Sequence, residues 1–179
     1  MLPRLPCAAI IAAMPLLLSA CGPERNKFPP PCPGSTILGD AADINLYRAG
    51  GGQDLTDLVL RGRIVGMQGT CKEGDTSNQL AVSVSVGVEL TRGPAMRGDQ
   101  ADVPVFIAVV TAGDVIMDKH VYLMRVAFPS NVDRITMSPS DVNLILPVTA
   151  TKSGADYTIV AGFQLTPNQL TRSLQNRRP

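Results

Sequence analysis

Residues 80–90 alternate between apolar side chains and small or polar ones, and this pattern restricts the fold more than any other feature of the chain. Successive side chains of a β-strand point to opposite faces of the sheet, whereas helical side chains repeat every 3.6 residues. The segment therefore predicts a strand with one face in the core and one face towards solvent. Its apolar set is Leu80, Val82, Val84, Val86, Val88 and Leu90.

A similar strand pattern recurs along the chain, interrupted by clusters of Gly, Pro, Asp and Ser that are typical of turns. Seven to eight short strands without a long helical period predict an all-β fold. We expect a single antiparallel β-sandwich of the immunoglobulin-like or fibronectin-III-like type, with a small barrel as the alternative. The other predicted strands are 43–48, 58–68, 103–111, 115–128, 132–137, 142–149 and 157–165.

The chain contains no Trp, so the core volume must come from Val, Ile, Leu and Met together with five aromatic side chains. The aromatic residues expected in the core are Phe106, Tyr122, Phe128, Tyr157 and Phe163.

The N-terminus has the features of an export signal. Arg4 precedes an uncharged segment whose apolar centre, residues 7–18, has the length of about 12 residues that is typical of a secretory signal. A transmembrane helix would need roughly 20 apolar residues. The small residues Ser19 and Ala20 then predict a cleavage site before Cys21.

The sequence Leu18-Ser19-Ala20-Cys21 resembles the lipobox of bacterial lipoproteins. In that family the Cys thiol receives diacylglycerol, a peptidase cuts before it, and the new amino group is acylated. The resemblance implies that Cys21 is the lipidated first residue of the mature chain, and several acyl chains on one residue suffice for stable anchoring. A plain secreted protein, with Cys21 an incidental thiol, is the alternative. Gly22 replaces the Asp that inner-membrane lipoproteins often carry, which favours the outer membrane, facing the periplasm.

The remaining sequence divides into three parts. Residues 21–36 contain five prolines and are expected to form a Pro-rich tether, because prolines favour an extended conformation. Residues 37–166 form the predicted sandwich. Thr166 before Pro167 has the pattern of a helix N-cap, so residues 167–179 predict a short helix and a polar tail. Residues 1–20, which precede these three parts, are the predicted signal peptide.

Two cysteines remain after the signal peptide and the lipid site are assigned. Cys32 and Cys71 are expected to form a disulfide in an oxidising compartment, where such pairs persist. Free thiols or a metal pair are the alternatives. A metal pair is disfavoured because the mature chain has one His and no Cys-x-x-Cys motif.

The charge of the mature chain excludes one class of partner. Arg4 is the only charged residue in the signal, so 15 basic and 15 acidic side chains remain. Nucleic-acid binding requires a strongly basic surface, so we expect no nucleic-acid partner.

Two groups of residues are candidates for chemistry. Asp118, His120 and Tyr122 share one face of a predicted strand, but the chain lacks a Gly-x-Ser-x-Gly nucleophile motif, so a partly buried structural His and no enzymatic activity are expected. Three Asp-x-x-Asp pairs at strand entrances are weak calcium candidates, with turn and cap chemistry as the alternative. These residues are Asp40, Asp43, Asp54, Asp57, Asp99 and Asp102.

The Gly162–Leu170 segment, the Cys-Pro-Gly start of the domain and Arg92-Gly93-Pro94-Ala95 resemble a group of uncharacterised envelope lipoproteins of Gram-negative bacteria. The resemblance implies no activity and no cofactor beyond the covalent lipid. We therefore expect a lipid-anchored envelope lipoprotein with a non-enzymatic protein-interaction or assembly role, and another envelope protein as partner. A small-molecule, calcium or glycan-binding envelope lipoprotein is the alternative.

Overall fold

A computed structural model describes residues 31–176, which form nine β-strands, three short 3-10 turns and one α-helix. None of the helices in this part of the chain has the length and apolar character needed to cross a bilayer. The elements are β1 Gly34–Ile37, β2 Asp43–Tyr47, β3 Leu58–Glu73, β4 Gln79–Arg92, β5 Gln100–Thr111, β6 Val115–Ala127, β7 Arg134–Met137, β8 Val142–Pro147, β9 Tyr157–Phe163 and α1 Pro167–Asn176.

All eight predicted strands are present, and the all-β class is confirmed. Two differences from the predicted strands bear on the fold. Strand β3 continues five residues past its predicted end at Gln68, because its partner β4 pairs with it as far as Glu73. Strand β1 is an additional, ninth strand and begins at Gly34, inside the segment 21–36 predicted as tether.

The strands form two sheets. The first sheet has the order β1-β9-β5-β6, and the second has β2-β3-β4 with β7 and β8 both paired to the far side of β4. All pairs are antiparallel except β1 with β9, which are parallel. The predicted antiparallel sandwich is therefore correct for the sheets as a whole and wrong for this one edge pair.

The core lies between the two sheets. The alternating residues of β4 are all buried, as their period predicts, and they meet the inner residues of β5 and β9 from the other sheet. Phe163 and Tyr157 are among the most buried large side chains. Each fully buried side chain of this size contributes about 1.5–3 kcal/mol of transfer free energy.

Tyr122 is the exception among the five aromatic residues expected in the core, because its side chain is 37% exposed. Phe106, Phe128, Tyr157 and Phe163 are buried, although Phe106 lies on the outer face of β5 in a small separate cluster. Tyr122 pairs with Val105 and so has the register of a core residue, but its strand lies at the sheet edge.

The N-terminal end of the described chain is fixed to the sandwich by a disulfide. Cys32 precedes β1 and bonds to Cys71 near the end of β3, with their Cα atoms 5.7 Å apart. The predicted pairing is confirmed. The bond joins the segment that follows the predicted tether to a central strand of the second sheet.

The C-terminal helix begins where the sequence predicts. The amide of Gln169 donates to Thr166 Oγ1 at 3.4 Å, and Gln169 Oε1 accepts from the Thr166 amide at 2.8 Å. This reciprocal pair is a capping box, which satisfies two backbone donors at the helix start. Gln169 and Ser173 also donate to the carbonyls of Asn45 and Asp40, and these bonds attach the helix to the sandwich.

Candidate functional site

The candidate site is the side of the sandwich where strand β6 ends the first sheet. Within residues 31–176, β6 pairs with β5 and has no strand on its other edge. An unpaired edge presents a row of backbone N–H and C=O groups, and natural proteins usually protect it with charges, prolines or bulges. The central part of β6, residues 120–124, carries no Lys, Arg, Asp, Glu or Pro and no register shift.

Strand β6 also exposes apolar side chains. The described chain exposes 12 large hydrophobic residues, and six of them lie on this one strand. Among these six, Leu123 is the most exposed at 65%. Apolar side chains that are exposed close together are a mark of interaction surfaces, whereas single scattered ones are not. The six are Val115, Ile116, Met117, Val121, Tyr122 and Leu123.

The two sheets do not close completely beside β6. A cavity of about 220 Å³ lies between β6 and the break that separates β7 from β8. Core residues of β4 and β5, including Val84 and Ile107, line it together with Tyr122 and Pro139. Apolar core surface is therefore reachable from this side of the sandwich, next to the free edge of β6.

A second cavity, of about 230 Å³, lies between β6 and β8. His120 Nε2 lies 2.8 Å from Asp118 Oδ2, and the centroids of the His120 and Tyr122 rings are 6.3 Å apart. The three residues share a face, as the period of two predicts. His120 was expected to be partly buried, but its side chain and that of Asp118 are each 54% exposed, because no strand covers the β6 edge in the described chain.

The His120–Asp118 pair resembles two parts of a hydrolytic triad, but a triad also needs a nucleophile beside the imidazole. The residues that line this cavity in the described chain include no Ser, Thr or Cys. The pair adds polar, hydrogen-bonding groups to a strand that is apolar from Val121 to Met124.

The aspartates considered for calcium are not brought together. Three of the six are bonded to arginines: Asp43 to Arg63 at 2.7 Å, Asp57 to Arg48 at 2.5 Å and Asp102 to Arg125 at 3.1 Å. Among residues 31–176, no group of three His, Cys, Asp or Glu side chains could hold a metal ion. Asp40, Asp54 and Asp99 each accept a hydrogen bond through the backbone carbonyl at a turn or strand end.

Two of these ion pairs change the arginine pKa values. The hydrogen bond to Asp43, followed by its charge, raises the pKa of Arg63 above the ordinary arginine value. Asp102 raises the pKa of Arg125 in the same way. Both arginines are charged at every physiological pH, so these pairs are surface cross-strand contacts without a titratable role.

Cys21 lies outside the described residues, so its lipidation stays a prediction from the lipobox.

No protein-family model matches the chain, and comparisons with curated proteins and with solved structures found no match. The functional assignment therefore rests on the sequence of the N-terminus and on the geometry of the sandwich.

Proposed function

We propose that this chain is a lipid-anchored lipoprotein of the bacterial cell envelope, and that its sandwich binds another envelope protein without catalysing a reaction. The single observation that carries the binding role is the free edge of β6, with its uncharged centre and exposed apolar side chains. We propose an extended segment of the partner as the occupant of this edge.

The geometry of the edge favours an extended segment over a globular contact. A strand added to β6 would satisfy its outward N–H and C=O groups, and alternate side chains of that strand would face the two sides of the sheet. The side chains on the inner face would lie beside the cavity lined by Val84 and Ile107. Val121 and Leu123, on the outer face of β6, would be covered by the other set.

The anchoring part of the proposal is supported by the N-terminal sequence. The lipobox ends at Cys21, and the Pro-rich residues 22–31 can reach at most about 30 Å when extended at ~3.1 Å per residue. The Cys32–Cys71 disulfide then joins the tether to the domain. Gly22 supports sorting to the outer membrane, facing the periplasm.

A non-enzymatic role is supported by the side chains around His120, whose cavity lacks a nucleophile in the described chain. The zero net charge of the mature chain supports a protein partner rather than a nucleic acid. We also propose that the sandwich is immunoglobulin-like or fibronectin-III-like, which is supported by two facing sheets around one core.

Replacing Leu123 with Glu is expected to weaken partner binding by at least about tenfold, because a charge without a counter-ion would be buried in the added strand pair. The assay is quantitative mass spectrometry of the proteins that co-purify with the lipidated chain from mildly solubilised envelopes. The partner is the envelope protein that wild type recovers reproducibly.

The matched control is Val65→Glu. Val65 lies in the other sheet, at the β-bulge of β3, and is 51% exposed, so the same charge is introduced into a strand away from β6. The proposal requires the control to recover the partner as wild type does. Equal recovery by Leu123→Glu, or equal loss in both variants, would show that β6 is not the binding edge.

A further inference from the structure

A row of polar side chains crosses the outer face of the second sheet. The strand register places Asn45 opposite Arg61, Arg61 opposite Thr91, and Thr91 opposite Arg134. Neighbouring strands are about 4.8 Å apart, so the two arginines lie on either side of the threonine, with their backbones about 10 Å apart. The row could not be predicted from the sequence, because it combines four strands that are not all neighbours in the chain.

The charges along this face are not balanced. A groove of about 420 Å³ is lined by four arginines, Arg61, Arg63, Arg92 and Arg134, and by only two carboxylates, Asp43 and Glu89. Four positive charges against two negative charges leave an excess of two positive charges.

The hydrogen bonds show which arginines carry that excess. Arg63 is bonded tightly to Asp43 at 2.7 Å, whereas Arg134 Nη1 lies 3.9 Å from Glu89. Arg61 Nε donates to the neutral side-chain oxygen Asn45 Oδ1 at 3.3 Å, and Arg92 Nη2 donates to the carbonyl of Gly98. Each guanidinium has five donors, so Arg61, Arg92 and Arg134 keep donors for another acceptor.

The residues that line the groove suit a small anion that carries a short organic group. Leu58, Gly93 and Pro94 add apolar and backbone surface to the arginine-lined walls. Its volume falls in the range of small-molecule sites. Guanidinium groups bind phosphate through paired, charge-assisted hydrogen bonds, and the hydroxyl of Thr91 between two arginines adds a further donor.

We propose that the groove around Arg61, Thr91 and Arg134 binds a phosphate ester, either free or on the headgroup of an anionic lipid. The excess of two positive charges matches the charge of a phosphate monoester, and a phosphodiester headgroup presents the same oxygens with one charge less. This site lies on the second sheet and does not depend on the partner proposed for β6.

The test uses the complete chain with Cys21→Ser, so that no covalent lipid contributes to binding. One arm titrates sn-glycerol 3-phosphate and follows binding by calorimetry. The other arm measures co-sedimentation with phosphatidylglycerol vesicles and with phosphatidylcholine vesicles. We expect binding in at least one arm, a preference for phosphatidylglycerol in the second, and weaker binding as salt concentration rises.

The double variant Arg61→Gln/Arg134→Gln is expected to lose at least about tenfold in affinity, because both flanking guanidiniums are removed. Its matched control is Lys72→Gln/Lys152→Gln, which changes the net charge equally and lies outside the groove. Arg61→Lys/Arg134→Lys, which keeps the charge, should restore part of the binding. Thermal unfolding of each variant verifies that it is folded.

The arms separate the sources of the phosphate. Binding of glycerol phosphate alone supports a soluble ligand, and binding of the vesicles alone supports a lipid headgroup. Either result supports the proposed site if the Arg61→Gln/Arg134→Gln variant loses that binding. Absence of binding in both arms, or an equal loss in the lysine control, would overturn the site.

Discussion

Replacing Cys21 with Ser is expected to move nearly all of the protein from the membrane pellet to the soluble fraction of the envelope. The lipobox modification requires the Cys thiol, and Ser provides no thioether for the diacylglycerol. Each acyl chain contributes ~0.8 kcal/mol per buried CH₂, so the proposed lipid would supply most of the free energy of membrane anchoring. Fractionation followed by immunoblotting measures the change.

Cys7→Ser is the control for this experiment, because Cys7 lies in the apolar part of the proposed signal and is not at the lipobox position. The Cys7→Ser protein should stay in the pellet and carry the lipid mass on its N-terminal peptide. Retention of the Cys21→Ser protein in the pellet at the wild-type level would show that lipid at Cys21 does not anchor the chain.

Removing the disulfide should have the largest effect on stability. The two cysteines are separated by 39 positions, and on the chain-entropy model a loop of that size stabilises the folded state by about 4 kcal/mol. We expect Cys32→Ala/Cys71→Ala to lose about that free energy of unfolding and to melt roughly 10 °C lower. Urea unfolding of the variant and of wild type, without reductant, gives the difference.

Wild type measured with a reductant is the internal control, and it should match the double variant. An unchanged unfolding midpoint in both would mean that the bond adds nothing to the stability of the sandwich. A large loss would also imply that a reducing compartment is unsuitable for this protein, in agreement with an envelope location.

The positions of the strands could be predicted because alternation is a local property of the sequence. Each inner residue of β4 is buried where its period of two places it. Strand β1 could not be found this way, since it has four residues and becomes a strand only through its parallel pairing with β9. The extra length of β3 likewise depends on β4.

The open side of the sandwich could not be predicted, because the order of strands in a sheet is not a local property. Residues 115–128 read as an ordinary strand, and Tyr122 was expected in the core. Its exposure follows from the position of β6 at the end of the first sheet, where only β5 covers it in the described chain. The pairing of Asp118 with His120, in contrast, followed from their spacing of two.

The aspartate pairs show the same limit for the candidate sites. Their location at turns and strand ends was predicted from the sequence, but their partners were not. Asp43 bonds to Arg63 and Asp102 to Arg125 because antiparallel pairing sets these residues directly opposite each other. The row of polar side chains on the second sheet, which includes Arg61 and Arg134, arises from strand pairing as well. It could not be predicted for the same reason.

Site-specific photo-cross-linking in living cells tests the central claim most directly. A photoreactive amino acid replaces Leu123 in the chain expressed with its N-terminal residues 1–30, and a second strain carries it in place of Val65. After irradiation, mass spectrometry identifies the adducts. The account predicts one reproducible envelope protein bound at position 123 and absent at position 65. No adduct at position 123, or the same adducts at both positions, would contradict partner binding through β6.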